Sequence, residues 1–147
     1  MGNMLKDVKI TVVEATAAAA QTELVTDVLD MSGYEGVLFI ALTGDVTTSS
    51  VLTLTVKANS ANSVSSPTPI TQKASDAFTA GASDADSKVI AVDLYKPTLR
   101  YVFASLTRTA ANAVVGGIIA IQYKAHNKPT SQDASVIASA VGLGVSS

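Results

Sequence analysis

The sequence VLTLTVKA, residues 51–58, alternates apolar and polar side chains more cleanly than any other stretch of the chain. Leu52, Leu54 and Val56 fall on one side of an extended backbone, and two threonines and a lysine fall on the other. A period of two in a segment rich in β-branched residues predicts a strand with one buried and one solvated face. Residues 51–58 are therefore expected to form a half-buried β-strand.

Three further stretches alternate in the same way and predict strands, namely residues 6–14, 88–94 and 99–108. Val, Ile, Thr, Tyr and Phe, the residue types that suit a pleated surface, make up about a third of the chain. The fold should therefore be mainly β. The side chains expected to share one face in each stretch are Val8, Ile10 and Val12; Ile90, Val92 and Leu94; and Val102, Ala104 and Leu106.

Two other stretches are apolar on both sides, GVLFIAL at residues 36–42 and VVGGIIAIQY at residues 114–123. Such strands lie in the centre of a sheet, or their second face is covered by another sheet, an arm or a subunit. Gly116 and Gly117 inside the second stretch predict a bulge or a close backbone approach. These two strands are the first indication of a partner surface.

Residues 24–31 fit both helical and extended spacing, and we interpret them as a strand, with the alanines at 17–20 as a loop or a short helical turn. Seven or eight short strands separated by turn residues predict an antiparallel β-sandwich or a jelly-roll-like barrel with extended terminal arms. The chain length suits one domain. We place the sandwich at residues 1–128 and a C-terminal arm at residues 129–147.

Two segments fall outside the strand pattern. Residues 59–87 form a long polar stretch whose sizeable apolar anchors are Ile70 and Phe78, and long stretches of this kind are often functional or mobile. The arm ends in ASVIASAVGLGVSS, which would expose apolar side chains if it hung free. Three outcomes remain open for the arm: it folds back onto its own domain, it docks on a neighbouring subunit, or it is disordered.

The composition excludes several classes of protein. A formal net charge of −2 without a basic run provides no surface for nucleic-acid phosphates. No apolar run reaches the roughly 18 residues of a membrane span, and the charged residues among positions 6–14 argue against a secretion signal. The chain has no cysteine, which removes disulfides and thiolate metal sites. We therefore expect neither a nucleic-acid nor a membrane partner.

Few side chains suit catalysis or metal binding. The single histidine, His126, has no neighbouring base, orienting group or further ligands in sequence. Asp84 and Asp86, with Asp76 as a possible neighbour, lack the additional oxygen ligands and the glycine of a calcium loop. We interpret these residues as solvated.

Asp27, Asp30 and Glu35 could supply an acid pair for glycoside hydrolysis. A sugar-cleaving groove also needs aromatic platforms, and the chain contains no Trp. We therefore predict no catalytic residues, no metal site, no cofactor and no enzymatic activity.

Arg100 and Arg108 are the only arginines, and their even spacing would point them the same way in an unbroken strand. Guanidinium groups commonly pair with carboxylates, and Asp30, Glu35 and Asp93 are candidate partners. Contacts across a subunit interface would use these arginines equally well. Both alternatives stay open on the sequence.

Three segments together resemble small structural proteins encoded among the head genes of tailed bacteriophages: TDVLDMSGYEGVLF at 26–39, KPTLRYVFASLTRT at 96–109 and GIIAIQY at 117–123. The resemblance to head decoration, cement or minor capsid proteins covers roughly residues 25–130. It implies a β-sandwich that assembles with itself, as a trimer or dimer, and clamps the major capsid protein on the outer face of the head. The protein would then be made in the host cytoplasm and reside in the virion.

A cement protein needs no chemistry, which agrees with the missing catalytic set. We expect the clamping elements to be the termini, residues 1–7 and 129–147, with residues 59–87 as a second surface. Two alternatives remain: a tail or head-tail joining protein, and a β-sandwich module that binds host surfaces or glycans. The predicted interface residues are Leu5, Arg100, Arg108, Val136, Ile137, Val141 and Leu143.

Overall fold

The computed structural model describes residues 3–144, which form one short 3-10 helix, Met4–Lys6, and eleven strand segments. No helix among these residues combines the length and the apolar character needed to cross a lipid bilayer. The segments are β1 (Lys9–Glu14), β2 (Ala17–Ala20), β3 (Leu24–Val25), β4 (Leu29–Asp30), β5 (Gly36–Val46), β6 (Val51–Asn59), β7 (Ile70–Ala74), β8 (Phe78–Thr79), β9 (Val89–Tyr95), β10 (Tyr101–Thr109) and β11 (Ala113–Tyr123).

The segments form two antiparallel sheets. Sheet A has the order β1-β11-β5-β9, and β2 continues β1 along the same edge of β11. Sheet B has the order β3-β10-β6-β7, with β4 continuing β3 along β10 and β8 continuing β7 along β6. Each interrupted edge therefore counts as one strand, which gives eight strands in all.

Numbered along the chain, these eight strands lie in the order 1-8-3-6 in sheet A and 2-7-4-5 in sheet B. This is the strand order of a jelly roll, in which two Greek keys close over a shared core. The predicted fold class, a mainly β antiparallel sandwich of seven or eight strands, is confirmed.

The core lies between the two sheets, where alternate side chains from each inner face meet. Leu52, Leu54 and Val56 are buried, as the alternation of residues 51–58 predicts. From sheet A, Phe39 and Ile118 are equally buried and belong to the same apolar cluster as Leu54 and Val56.

The register of β1 differs from the prediction. Thr11 and Val13 point into the core, whereas Val12 is 42% exposed on the outer face. The reason is the pairing with β11, which places Thr11 beside buried Ala120 and contains a bulge between Val12 and Glu14. The prediction that Val8, Ile10 and Val12 share one face is therefore wrong: Val8, which precedes the strand, is 4% exposed, whereas Val12 lies on the outer face.

The alanines at positions 17–20 form a strand, β2, and not the predicted loop or helical turn. Residues 24–31 are extended, as predicted, but divide into β3 and β4. Between these two, the Thr26 hydroxyl accepts a hydrogen bond from the Ala104 N–H at 2.9 Å and replaces a backbone partner.

Residues 59–87 contain β7 and β8, which complete the outer edge of sheet B. The two side chains expected to anchor this segment are largely outside the core, since Ile70 is 54% and Phe78 is 44% exposed. Backbone pairing with β6 holds the segment in place, together with Ala80 and Ala85, which are buried in a cluster with Val46 and Leu52.

Candidate interaction surfaces

No group of three or more His, Cys, Asp or Glu side chains within residues 3–144 is placed to hold a metal ion. His126 is exposed, and its backbone N–H donates to the Gly33 carbonyl. Asp84 and Asp86 serve the backbone instead, accepting hydrogen bonds from the N–H groups of Gly81 at 2.7 Å and Val46 at 2.8 Å. These acidic side chains stabilise the loop between β8 and β9.

Arg100 lies on the surface, one residue before β10, and forms a bidentate pair with Asp30. Its Nε donates to Oδ1 at 2.9 Å and its Nη2 to Oδ2 at 2.8 Å. The hydrogen bonds from Arg100 hold the pKa of the Asp30 carboxyl below its usual range. Of the candidate partners, Asp30 is therefore the one that Arg100 contacts within its own chain.

Arg108 is buried, with 2% of its surface exposed, and does not point the same way as Arg100. Its guanidinium donates to three carbonyl oxygens, those of Thr22 at 2.9 Å, Ala18 at 2.9 Å and Ala113 at 2.7 Å. A fourth bond reaches the Thr22 hydroxyl at 2.9 Å. Within the described residues, the partners of Arg108 are therefore backbone and hydroxyl oxygens instead of a carboxylate, and this conformation keeps it off the surface.

The first part of the C-terminal arm, residues 130–135, lies against the free edge of β1. The Ile10 N–H donates to Gln132 Oε1 at 2.7 Å, and the Val12 N–H donates to Ser135 Oγ at 2.9 Å. These two side chains provide the acceptors that a neighbouring strand would otherwise supply. The arm therefore covers one edge of sheet A in the same chain.

Leu5, a predicted interface residue, belongs to this junction. Its side chain is half-buried, and its carbonyl accepts hydrogen bonds from Thr130 Oγ1 at 3.0 Å and Gln132 Nε2 at 3.1 Å. Lys128 Nζ lies 3.4 Å from Asp7 Oδ1. The N-terminal residues and the start of the arm thus hold each other on the domain.

Residues 136–144, which we name the apolar tail, leave the domain after this junction. Val136 is half-buried and its N–H donates to the Asp133 carbonyl at 2.9 Å. Beyond it, Ile137 is 97%, Val141 is 49% and Leu143 is 88% exposed. Of the outcomes left open by the sequence, folding back thus holds for residues 130–135, whereas the next residues present apolar side chains to solvent.

The outer face of sheet A is a second apolar surface. Cross-strand pairing aligns Val12 with Ile119, Ile119 with Ile40, and Leu42 with Val89. Four of these side chains are 38–60% exposed, two of them, Leu42 and Ile119, on the central strands of the sheet. We name this surface the sheet A face and define it by Val12, Ile40, Leu42, Val89, Ile119 and Ile121.

A groove of about 290 Å³ crosses the sheet A face where β11 carries its two central glycines. The pairing of β11 with β5 shifts between Val115 and Gly117, and Gly117 has φ +137°, so the predicted bulge is present. A Cβ at Gly116 would lie 3.2 Å from Leu42 Cδ2, so the missing side chains create the groove.

A pair of stacked tyrosines lies at one end of the sheet A face. Tyr95 and Tyr123 flank Gly36 in the register, and their rings stack with centroids 6.4 Å apart. The Tyr123 hydroxyl donates to Asp93 Oδ1 at 2.6 Å, while Lys124 Nζ lies 4.9 Å from the centre of the Tyr95 ring. The apolar face therefore has a polar, aromatic margin.

Sequence reasoning found part of these surfaces. The exposed residues of the apolar tail and the two-sided apolar strands are visible in the sequence pattern. The local period groups Val12 with Ile10 and sets Val89 opposite Ile90, which does not reveal that Val12 and Val89 belong to one exposed face. The tyrosine pair carried no sequence signal, since its members lie on strands 28 residues apart along the chain.

The sequence matches no family model and no curated protein. Among solved structures, the chain is similar to Eiger TNF from S. frugiperda, with 10% sequence identity and a TM-score of 0.38 over 90% of this chain and 94% of that chain. A likeness at this level assigns neither a family nor a function.

Proposed function

We propose that this chain is a structural protein that binds other proteins and performs no chemistry, and that it decorates the heads of a tailed bacteriophage. The identification of the particle rests on the resemblance of residues 26–39, 96–109 and 117–123 to head decoration proteins. The structural observation that carries the proposal is the apolar tail, which leaves a firmly bonded junction and exposes Ile137 and Leu143 almost completely.

The arm provides a clamp in two parts. Residues 130–135 fix the base of the arm to β1, so that little conformational entropy of the base is lost when the tail binds. The apolar tail then offers Ile137, Val141 and Leu143 to an apolar groove on the major capsid protein. Burying one such side chain contributes about 1.5–3 kcal/mol.

Such a clamp stabilises a shell by mass action. A protein that binds the assembled, expanded shell and not its dissociated subunits shifts the equilibrium toward the shell. Many copies on one lattice, each linked to others by self-association, add avidity to contacts that are individually modest.

The proposal is tested by co-sedimentation with expanded heads that are assembled from the major capsid protein of the same phage and lack the decoration protein. We expect saturable binding by the native chain and at least a tenfold loss for the double substitution Ile137→Asp, Leu143→Asp. Val25→Asp is the matched control, since Val25 is 38% exposed on β3, outside both termini and outside residues 59–87. Equal binding by the double variant and the control would remove the tail from the mechanism, and absence of binding by the native chain would refute decoration.

The number of copies per particle separates decoration from the alternative of a tail or head-tail joining protein. Decoration predicts hundreds of copies spread over the shell, whereas a joining protein occurs in tens or fewer at one vertex. Quantitative mass spectrometry of purified virions, referenced to the major capsid protein, supplies this number.

A further inference from the structure

We propose that the sheet A face is the surface through which copies of this chain bind one another. The inference deepens the self-association that belongs to the proposed function, but it does not depend on the identity of the capsid. It starts from the exposure of Val12, Leu42, Val89 and Ile119, which residues 3–144 of the same chain leave at 42%, 46%, 60% and 38%. The chain's own described tail therefore does not cover this face.

The size of the face suits a protein interface. Strands about 4.8 Å apart and outward residues about 6.8 Å apart along each strand give four strands and three rows an area of about 400 Å². Asp93, beside Leu38, carries a carboxyl group, and the other paired positions of these rows are apolar. A standard interface covers about 800 Å² on each partner and combines an apolar centre with a polar rim. The sheet A face supplies the centre, and the margin with Tyr95, Tyr123, Asp93 and Lys124 supplies rim groups.

The charge distribution favours an identical partner. The rows formed by Val12, Ile119 and Ile40 and by Leu42 and Val89 contain no ionisable side chain. Two copies that meet through these rows bring no like charges together, and no buried charge needs an opposite charge on the partner. Glu14, on β1, is the one ionisable side chain that lines the groove beside these rows.

The sheet A face contains both a groove and a protruding side chain that could fill the same groove on a second copy. Gly117, Leu42 and Val89 lie in one row across β11, β5 and β9, so the groove and the 60% exposed Val89 flank Leu42 at one strand spacing on either side. A half-turn about an axis along β5 places Val89 of one copy over the groove of the other and brings the two Leu42 side chains together. Self-complementarity of this kind defines a symmetric interface.

The β1 edge of sheet A is closed to strand addition, which leaves the outer face for association at this side of the molecule. Strand addition at β1 is blocked, because Gln132 and Ser135 already accept the hydrogen bonds of the Ile10 and Val12 N–H groups. Copies therefore meet face to face at this side of the molecule and not by continuing the sheet.

The experiment is a mass measurement of the full chain at several concentrations by sedimentation equilibrium. The native protein should show a multiple of 15.0 kDa, and Ile119→Asp should return it to the monomer. Ile70→Asp is the matched control, because Ile70 is 54% exposed on β7 in the other sheet and should leave the mass unchanged. Circular dichroism checks that each variant is folded.

Val89→Asp is the second variant, since Val89 is the most exposed residue of the face and lies on the edge strand β9, where a polar side chain is tolerated by the fold. It should also give the monomer. A native chain that remains a monomer at 100 times the concentration used on capsids, or an oligomer that survives both Asp substitutions, overturns the proposal.

The capsid assay keeps this inference separate from the proposed function. The variant with the double substitution Ile137→Asp, Leu143→Asp should remain oligomeric but should no longer bind capsids. If the sheet A face is not the self-association surface, the native chain should still bind capsids. If the chain does not decorate capsids, its measured mass should still rise with concentration.

Discussion

The Ser135 hydroxyl accepts a hydrogen bond from the Val12 N–H at 2.9 Å, although 123 residues of sequence separate them. The same hydroxyl donates to Asp133 Oδ2 at 2.8 Å, which orients its free electron pairs toward β1. The two hydrogen bonds from Ser135 lower the pKa of Asp133, so this carboxylate remains a charged acceptor near neutral pH. A short turn at residues 133–135 thereby replaces a neighbouring strand.

Gln132→Ala should weaken this junction. The substitution removes the acceptor of the Ile10 N–H and the donor to the Val8 carbonyl, so we expect the free energy of unfolding to fall by about 1–2 kcal/mol. Amide hydrogen exchange should accelerate selectively at Ile10. Ser139→Ala, at an exposed position of the apolar tail, is the control and should change neither quantity. Unchanged protection of the Ile10 amide in the variant would contradict the capping role of Gln132.

Arg108→Met should be among the most destabilising single substitutions in the chain. The Ala113 carbonyl would lose a buried hydrogen bond and the carbonyls of Ala18 and Thr22 part-buried ones, while each unsatisfied buried group costs about 1–3 kcal/mol. We expect a loss of at least about 3 kcal/mol in urea unfolding. Arg108→Lys keeps one or two of these hydrogen bonds, so the stability of this variant should lie between those of the Met variant and the native chain. Equal stability of the Met variant and the native chain would show that water satisfies the carbonyls.

Arg108 also shows why part of the structure could not be predicted from the sequence. Two of its acceptors are backbone oxygens of residues 86 and 90 positions away, and backbone oxygens carry no residue-type signal. The prediction therefore considered carboxylates, which are visible in a sequence. The same reason applies to β2, since four alanines give no period and become a strand only by pairing with β11.

The fold class could be predicted because β6 alternates from Val51 to Ala58, and the inner residues of β6 and β10, such as Leu54 and Leu106, are fully buried. The register of β1 could not, because a bulge beside Val12 depends on the partner strand and not on the local pattern. The same limit applies to the candidate surfaces: the exposed tail residue Ile137 was visible in the sequence, whereas the alignment of Leu42 with Val89 requires the sheet order.

Gly36→Ala should strain the tyrosine pair at the margin of sheet A. A Cβ at Gly36 overlaps the Tyr123 ring, which is held by its hydrogen bond to Asp93 and by the stack on Tyr95. Overpacking of this kind costs about 1–3 kcal/mol in the free energy of unfolding. Gly142→Ala is the control, because a Cβ there meets no atom within 4 Å.

The Tyr123 ring is the proposed cause of this strain, so a double-mutant cycle with Tyr123→Leu isolates it. Gly36→Ala should cost less in the Tyr123→Leu background than in the native chain. The same cost in both backgrounds would place the strain elsewhere.

Arg100→Gln should raise the pKa of Asp30 toward the ordinary value of an aspartate, because the bidentate hydrogen bonds that favour the charged carboxylate are lost. Carboxyl NMR titration of Asp30 measures this directly. Since the native pKa is lowered, the contribution of the pair to stability is present above the unfolded pKa of about 3.9 and disappears as the pH falls through the native value. The difference in unfolding midpoint between native and variant protein should therefore shrink below pH of about 4. A pKa of Asp30 that does not rise in the variant would exclude Arg100 as the cause.

Two truncations should separate the two parts of the arm. Ending the chain after Val136 removes exposed residues and should leave the free energy of unfolding within about 0.5 kcal/mol of the native value. Removing residues 129–147 also deletes Thr130, Gln132 and Ser135, which uncovers the N–H groups of the β1 edge. Exposed edges pair with other chains, so the longer truncation should unfold at lower denaturant concentration and scatter light on heating. Equal stability of the two truncated chains would mean that the arm does not protect β1, because the shorter deletion keeps every hydrogen bond of the junction and the longer one keeps none.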